Sequence, residues 1–354
     1  MNATVNALPA NTSASAGSRG SQGVWSAAWR RLRGDRLGMA CLWVVAVFLG
    51  LVLATGLGLI ASGWQKEVGV PNAPPSFMGP APAEASQAAQ GPRGPNVDLS
   101  DIDPLAPRYA EWEAKARSFK TEDLVKQETL PFGGDRLGRD VLSKVLKGAE
   151  VSIMVGVLAA LVATLIGTVL GALSGFFGRR VGDFLEWVYN VFTAVPDILL
   201  IFAFAAIFGR GVLPVVMILG LAGWTGVYRL VRAEFIKHSS REYVRAAEAI
   251  GASRSSRMFR HILPNVSHVT LVQLSLLVVR FIKSEVILSY LGLGVSVDQV
   301  SWGTMLAEAQ SELILGYWWQ LTAVAVCMAV FVTAFALFTD ALRDALDPKL
   351  RGLE

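Results

Sequence analysis

The chain has 354 residues, 53% of them hydrophobic and only 17% charged, with a net charge of +4. Its mean hydropathy is +0.46, whereas soluble domains carry about one quarter charged residues, so a string of water-soluble domains is excluded in favour of a chain whose apolar runs meet lipid. Lysine and arginine gather beside those runs and form no separate basic patch, so nucleic acid is not an expected partner.

Residues 1–37 read as an N-terminal tail. The first 23 are rich in Ala, Ser, Asn and Gly, cannot bury a core, and are expected to be disordered. The apolar run behind the basic cluster is long enough to span a bilayer and shows no small-residue cleavage pattern, so it is not read as a cleaved signal. A bilayer core needs about 20 apolar helical residues. Six segments qualify wholly or nearly: 39–61 (within a first transmembrane unit, 38–61), 151–175, 184–208, 211–231, 266–290 and 318–340. Gly156, Gly167, Gly171 and Gly175 in the second supply small surfaces for close helix packing. Pro196 in the third predicts a kink. Tyr317, Trp318 and Trp319 predict an interfacial aromatic belt. Cys41 and Cys327 lie far apart inside apolar runs, which argues against a disulfide framework or a metal site.

The positive charges set an expected orientation. Arg30, Arg31, Arg33 and Arg36 place the N-terminus in the cytoplasm. Alternation then places Arg179 and Arg180, the loop from Lys237 to Arg260, and the tail 342–354 on the same side. An excursion over 62–147 falls outside. Its Pro-, Ala- and Gly-rich half (Pro71 to Pro107) predicts irregular chain. Tyr109 to Lys126 predicts a solvated helix or a docking surface for an external protein. Residues 140–150, with lysines between Val141, Leu142, Val145 and Leu146, predict an interfacial amphipathic helix. Residues 297–315 are expected outside as a surface helix, and 148–341 form the main transmembrane unit of five helices.

The loop 237–265 is the most informative segment. Glu242 to Ile250 favours helix, Gly251 suits a C-terminal cap, and a second short helix is expected to run until Pro264 ends it. Composition alone leaves open a plain positive-inside loop with helical turns. Ala246, Ala247, Gly251, Leu263 and Pro264, however, stand at the spacing of the "EAA" loop, and the segment resembles that of binding-protein-dependent ABC importer permeases. Pro131-Phe-Gly-Gly-Asp-Arg-Leu-Gly-Arg-Asp-Val-Leu142, Leu288-Ser-Tyr-Leu-Gly-Leu-Gly294, Ser301-Trp-Gly-Thr-Met-Leu306 and Asp340-Ala-Leu-Arg-Asp-Ala-Leu-Asp-Pro348 resemble the dipeptide/oligopeptide (peptide/nickel) branch. The Trp-Arg-Arg-Leu-Arg-Gly-Asp-Arg before the first span is similar to the "C" permease of the pair. Two features depart from the pattern. Arg245 replaces the glutamate of Glu-Ala-Ala, with Glu248 one turn later, and the insertion at 66–129 is longer than in common dipeptide permeases. It resembles a longer-loop branch for peptide-like antibiotics or larger peptides.

The resemblance implies an all-α integral membrane protein with the type I importer transmembrane fold. It implies location in a bacterial cytoplasmic membrane, with both termini inside. The implied partners are a second homologous permease, two ATPase subunits, an extracytoplasmic substrate-binding protein and membrane lipid. No cofactor is expected on this chain, which carries no Gly-x-x-x-x-Gly-Lys-Ser/Thr loop; ATP and Mg are expected in the ATPase partners, and the chain is not expected to be an enzyme. Glu242, Arg245, Ala246, Ala247, Glu248, Gly251, Arg254, His261, Leu263 and Pro264 would form the ATPase-coupling loop. Charges inside spans are costly. Asp197, Arg280, Lys283 and Glu285 are therefore candidates for the translocation pathway, against pairing with each other, with the partner permease, or snorkelling. His238, His261 and His268 lack ligand spacing and read as interfacial or docking residues. Alternative cargoes are nickel, an opine or a glycoside. A secondary transporter would show inverted repeats, and none is visible.

Overall fold

The computed structural model describes residues 24–80, 108–118 and 126–346, and these are helical with a few isolated bridges. In order the helices are α1 (Val24–Gly34), α2 (Arg36–Gly56), α3 (Tyr109–Ser118), α4 (Val141–Phe177), α5 (Arg179–Ala194), α6 (Asp197–Phe208), α7 (Val212–Gly223), α8 (Thr225–Ser239), α9 (Glu242–Ala249), α10 (Leu263–Tyr290), α11 (Trp302–Ile314) and α12 (Trp319–Leu346). The expected disordered stretch 1–23, the final tail 347–354 and most of the insertion lie outside the described residues.

Three helices, α2, α4 and α12, are each long and apolar enough to cross a membrane, and there are five spans if two bent pairs each make one. The pairs are α5 with α6, bent by 90°, and α7 with α8, bent by 43°. Helix α10 has 28 residues and the length for a sixth, but it carries Arg280, Lys283 and Glu285 and is not among the five. The expected kink at Pro196 is thus a right-angle break, which changes the third predicted segment. Pro196 lacks the N–H that would continue α5 and instead caps α6. Residues 184–194 belong to an amphipathic helix, with Phe184 and Trp187 stacked and exposed.

Helix α4 is the centre. Its apolar window is 44% buried, against 17% for α2 and α12. Its glycines recur every turn because the neighbouring backbone lies against them. A methyl group on Gly167, Gly171 or Gly175 would stand 2.6, 2.7 and 2.7 Å from the carbonyl oxygens of Trp224, Tyr228 and Arg232 along α8. Gly156 makes room for the Ile282 side chain of α10. Helix α2 packs on α12, and α1 lays Ala28 and Leu32 against Ala345 and Leu346, so part of the expected tail is a packed helix.

Around residues 126–146 the structure departs from the sequence reading. Helix α4 runs unbroken for 37 residues from Val141, capped by Asp140, which accepts from the Ser143 N–H at 2.9 Å. The expected boundary at 147/148 falls inside it, and the expected surface lysine Lys144 is 1% exposed. Its ammonium lies 2.6 Å from both Asp135 and Glu308, and Arg139 donates to Asp135 at 2.7 Å. Glu312, 2% exposed, accepts from the Arg136 N–H at 3.0 Å. Burial alone would push the Asp135 carboxyl up, but Lys144 and Arg139 outweigh it and hold the group below the ordinary carboxylate range. Burial pushes Glu312 up, and nearby Asp135 and Glu308 add to the effect. Trp319 is also buried and donates to the Gly134 carbonyl at 2.7 Å, so it anchors this end from within and is not a belt residue. The Pro-rich start of the excursion is held too. Val70 donates to Gln127 and Asn72 to Asp135, each at 2.9 Å, and Ala73, Pro74 and Pro75 are buried.

Gly171→Val should cost about 1–3 kcal/mol by overpacking, read as a lower melting temperature of the purified chain. Gly50→Val, which meets open space, should not. Lys144→Met should cost about 3–5 kcal/mol, since it strands buried carboxylates. Asp135 has a lowered pKa, so its stabilisation is present above the ordinary value of 3.8 and is lost as pH falls through the lowered one. Hydrogen exchange over residues 126–146 should quicken in that acid range, and in Lys144→Met at neutral pH.

Candidate functional site

Two places combine exposed, chemically distinct groups: the α9 loop and a charge pair between the start of α6 and the body of α10. Helix α9 follows Arg241, whose extended backbone starts it, and Glu242 sits favourably in the first turn. Val244 and Ala247 face inward and are buried, while Glu242, Arg245 and Ala246 face solvent. Gly251 has φ +87°, a conformation costly to any residue with a Cβ, and it turns the chain sharply. The Ala252 N–H closes that turn onto the Ala247 carbonyl at 2.9 Å. Ile250, beside the turn, is 86% exposed.

The return strand of the loop is helical. Ser253 caps the single turn Arg254–Ser256, accepting from the Ser256 N–H at 3.2 Å. A π-helical turn, Arg257–Ile262, leads directly into α10. Arg257 reaches back to Glu248 at 2.6 Å and staples the two arms. Glu248 is therefore engaged within the loop, while Arg245 and Arg254 are exposed and show no ion pair among the described residues. The expectation that Pro264 ends the second helix is corrected. It lies in the first turn of α10, directly after the π-helical turn, and the helix continues past it for a further 26 residues to Tyr290. Leu263 and His261 are partly buried, and the His261 carbonyl accepts from Asn265 at 2.7 Å. His238 meets the Tyr243 hydroxyl at 2.8 Å.

The four charges within predicted spans separate. Asp197 and Arg280, 83 residues apart in sequence, form an ion pair between α6 and α10. Each side chain is 55% exposed, and the pair lines a cavity of about 180 Å³ with Ile198, Ile201, Ala222, Gly223, Phe281 and Ser284. Its depth follows from chain geometry. The Gly211 N–H bonds the Gly294 carbonyl at 3.0 Å, which ties the 209–211 turn to the far end of α10. At 1.5 Å per residue, Asp197 and Arg280 both lie about 15–18 Å from that end, a length equal to about half of a hydrocarbon core about 30 Å thick. Lys283 is exposed and stands outside the cavity lining. Glu285 is fully buried. One of its oxygens accepts from the Ser289 hydroxyl at 2.6 Å, and the other has no hydrogen-bond partner.

Sequence reasoning did not single out Asp135, Lys144, Glu308 or Glu312. The signal for them was an acidic residue inside the quoted Gly-Gly-Asp-Arg run and a lysine among apolar residues. It also missed that Ser174 accepts from the Tyr228 hydroxyl and from Arg232, each at 3.0 Å, where α4 meets α8.

Comparison with known proteins bears on this geometry. The description "binding-protein-dependent transport system inner membrane component" matches residues 167–352, which include the α9 loop and both members of the charge pair. The oligopeptide transport system permease protein OppC of Bacillus subtilis (strain 168) is 35% identical over 247 residues, covering 70% of this chain and 81% of that protein. The dipeptide transport system permease protein DppC of Lactococcus lactis subsp. cremoris (strain MG1363) is 27% identical over 322 residues, covering 91% and 90%. The OppC protein of Escherichia coli (strain K12) is 36% identical over 220 residues, covering 62% and 72%. The loop turned on Gly251 and the glycine contacts of α4 with α8 thus fall within the matched residues, and this chain belongs to the family of binding-protein-dependent transport system inner membrane components, as a permease subunit.

Proposed function

We propose that the chain forms half of the membrane pathway of an ATP-driven importer for peptides or peptide-like compounds in a bacterial cytoplasmic membrane. A second homologous permease supplies the other half, two ATPase subunits bind ATP and Mg and seat the α9 loop, and an external binding protein delivers cargo. Both termini then face the cytoplasm, α10 completes six spans, and the Asp135–Lys144 network lies outside. The observation that carries this reading is the loop itself. Val244 and Ala247 root α9 in the membrane domain, while Ile250 is left 86% exposed on an arginine-rich turn, uncovered by any of the described residues. Peptide as cargo draws on the printed names of the relatives, oligopeptide and dipeptide transport permeases.

Within this reading, Arg245 meets the ATPase where a glutamate is usual, so the facing groove carries the complementary charge. ATPase closure pushes the loop, and the membrane bundle rocks as a rigid body between two accesses. Asp197 and Arg280 face the pathway, Lys283 lies beside it or toward the partner permease, and Glu285 serves packing between α10 and α11.

Ile250→Asp alters no internal contact and should lower peptide uptake by tenfold or more while the chain still inserts and melts normally. Gly251→Pro and Ala247→Trp should abolish uptake with insertion retained. Uptake of labelled peptide by cells expressing the complete transport system, with membrane-fraction blots, measures both; normal uptake in all three variants would remove the coupling role. Peptide uptake unchanged by deletion of the chain would remove the functional reading itself.

A further inference from the structure

Asp197 and Arg280 differ from the other buried or spanning charges. The Asp135–Lys144 network is closed off, with Lys144 at 1% and Asp135 at 0% exposure, and Glu285 is sealed without a cation. The central pair instead opens onto a cavity of about 180 Å³. Its two charges come from different helices, α6 and α10, so each can stay while the other moves. Asp197 also begins α6, where the helix N-terminus favours a carboxylate. The walls, Ile198, Ile201, Ala222 and Phe281, offer no other charge.

We infer that this pair is a latch opened by exchange with a zwitterionic cargo: the cargo ammonium takes Asp197, the cargo carboxylate takes Arg280, and the internal pair parts. The inference rests on the peptide reading above and adds the basis of selectivity at mid-membrane. Exchange replaces one ion pair by two and leaves no charge uncompensated. A simple cation or anion can satisfy only one partner and strands the other at a depth where an unpaired charge is costly. Arg280 suits the carboxylate end because its guanidinium can grip two oxygens at once. With no cargo the pair closes on itself.

The test uses the purified permease–ATPase complex without its binding protein, so that only the membrane site discriminates. Saturation-transfer NMR titrations with trialanine, N-acetyl-trialanine and trialanine amide report affinity. The intact complex should bind trialanine at least fivefold more tightly than either blocked form. Asp197→Asn should erase the preference over the N-acetyl peptide alone, and Arg280→Gln the preference over the amide alone. No saturable trialanine binding, no preference in the parent complex, or equal losses for all three peptides in both variants would each overturn the latch. The last pattern is the one expected if the pair only braces α6 or faces the partner permease. Peptide uptake by the complete system is scored separately, so a failed latch leaves the importer reading standing, and absent uptake removes both.

Discussion

The close approach of α8 to α4 is the constraint on which the rest of the structure depends. Gly167, Gly171 and Gly175 let carbonyl oxygens of α8 come within reach of the α4 backbone, with no side chain between. In lipid there is little hydrophobic drive to hold helices together, so contact of this kind, with many small dispersion gains, must supply the cohesion. Where α8 goes, α9 follows after two residues, so the position of the exposed loop is inherited from the glycine stripe. Helix α10 packs on another face of α4 through Gly156 and Ile282, and it brings Arg280 with it.

Polar groups are used in two different ways. At the far end of α4, the Asp135–Lys144–Glu308 cluster is largely buried, and it ties the segment before α4 to α11. Such a cluster gives a unique arrangement and little freedom. The Asp197–Arg280 pair instead is exposed on one side and joins the apolar α6 to α10. The same chemistry, a carboxylate beside a cation, thus acts as a fastening in one place and a contact open to exchange in the other. Burial makes the difference.

Much of this was legible in the sequence. Apolar length marked out α2, α4 and α12, and the glycines of α4 announced close packing. Gly251 marked the turn of the loop, because only a residue without a Cβ adopts φ +87° readily. Breaks and long-range pairs were harder to read. An apolar run does not record that Pro196 turns it through 90°, because hydropathy has no direction. Lys144 has the local pattern of a surface lysine, and its partner Glu308 lies 164 residues away. Pro264 reads as a stop or a start with equal ease, and the π-helical turn before it decided for a start. Trp319 looked like a belt residue until Gly134 was found beneath its indole. Each of these depends on which surfaces meet, and no window of sequence holds that information.

The π-helical turn Arg257–Ile262 joins the loop to α10 without a flexible link, which makes loop and helix a single rod. Arg280 stands 17 residues beyond Leu263, about 26 Å along that rod at 1.5 Å per residue. Pivoted at the loop, a tilt of about 4° would sweep the guanidinium sideways by roughly 2 Å, more than the tolerance of a hydrogen bond. Asp197, on a helix cut free of α5 by the break at Pro196, need not follow. The rod therefore works as a pointer: a motion at the loop too small to reshape the bundle would be magnified, by length alone, into the making or breaking of the one contact between Arg280 and Asp197.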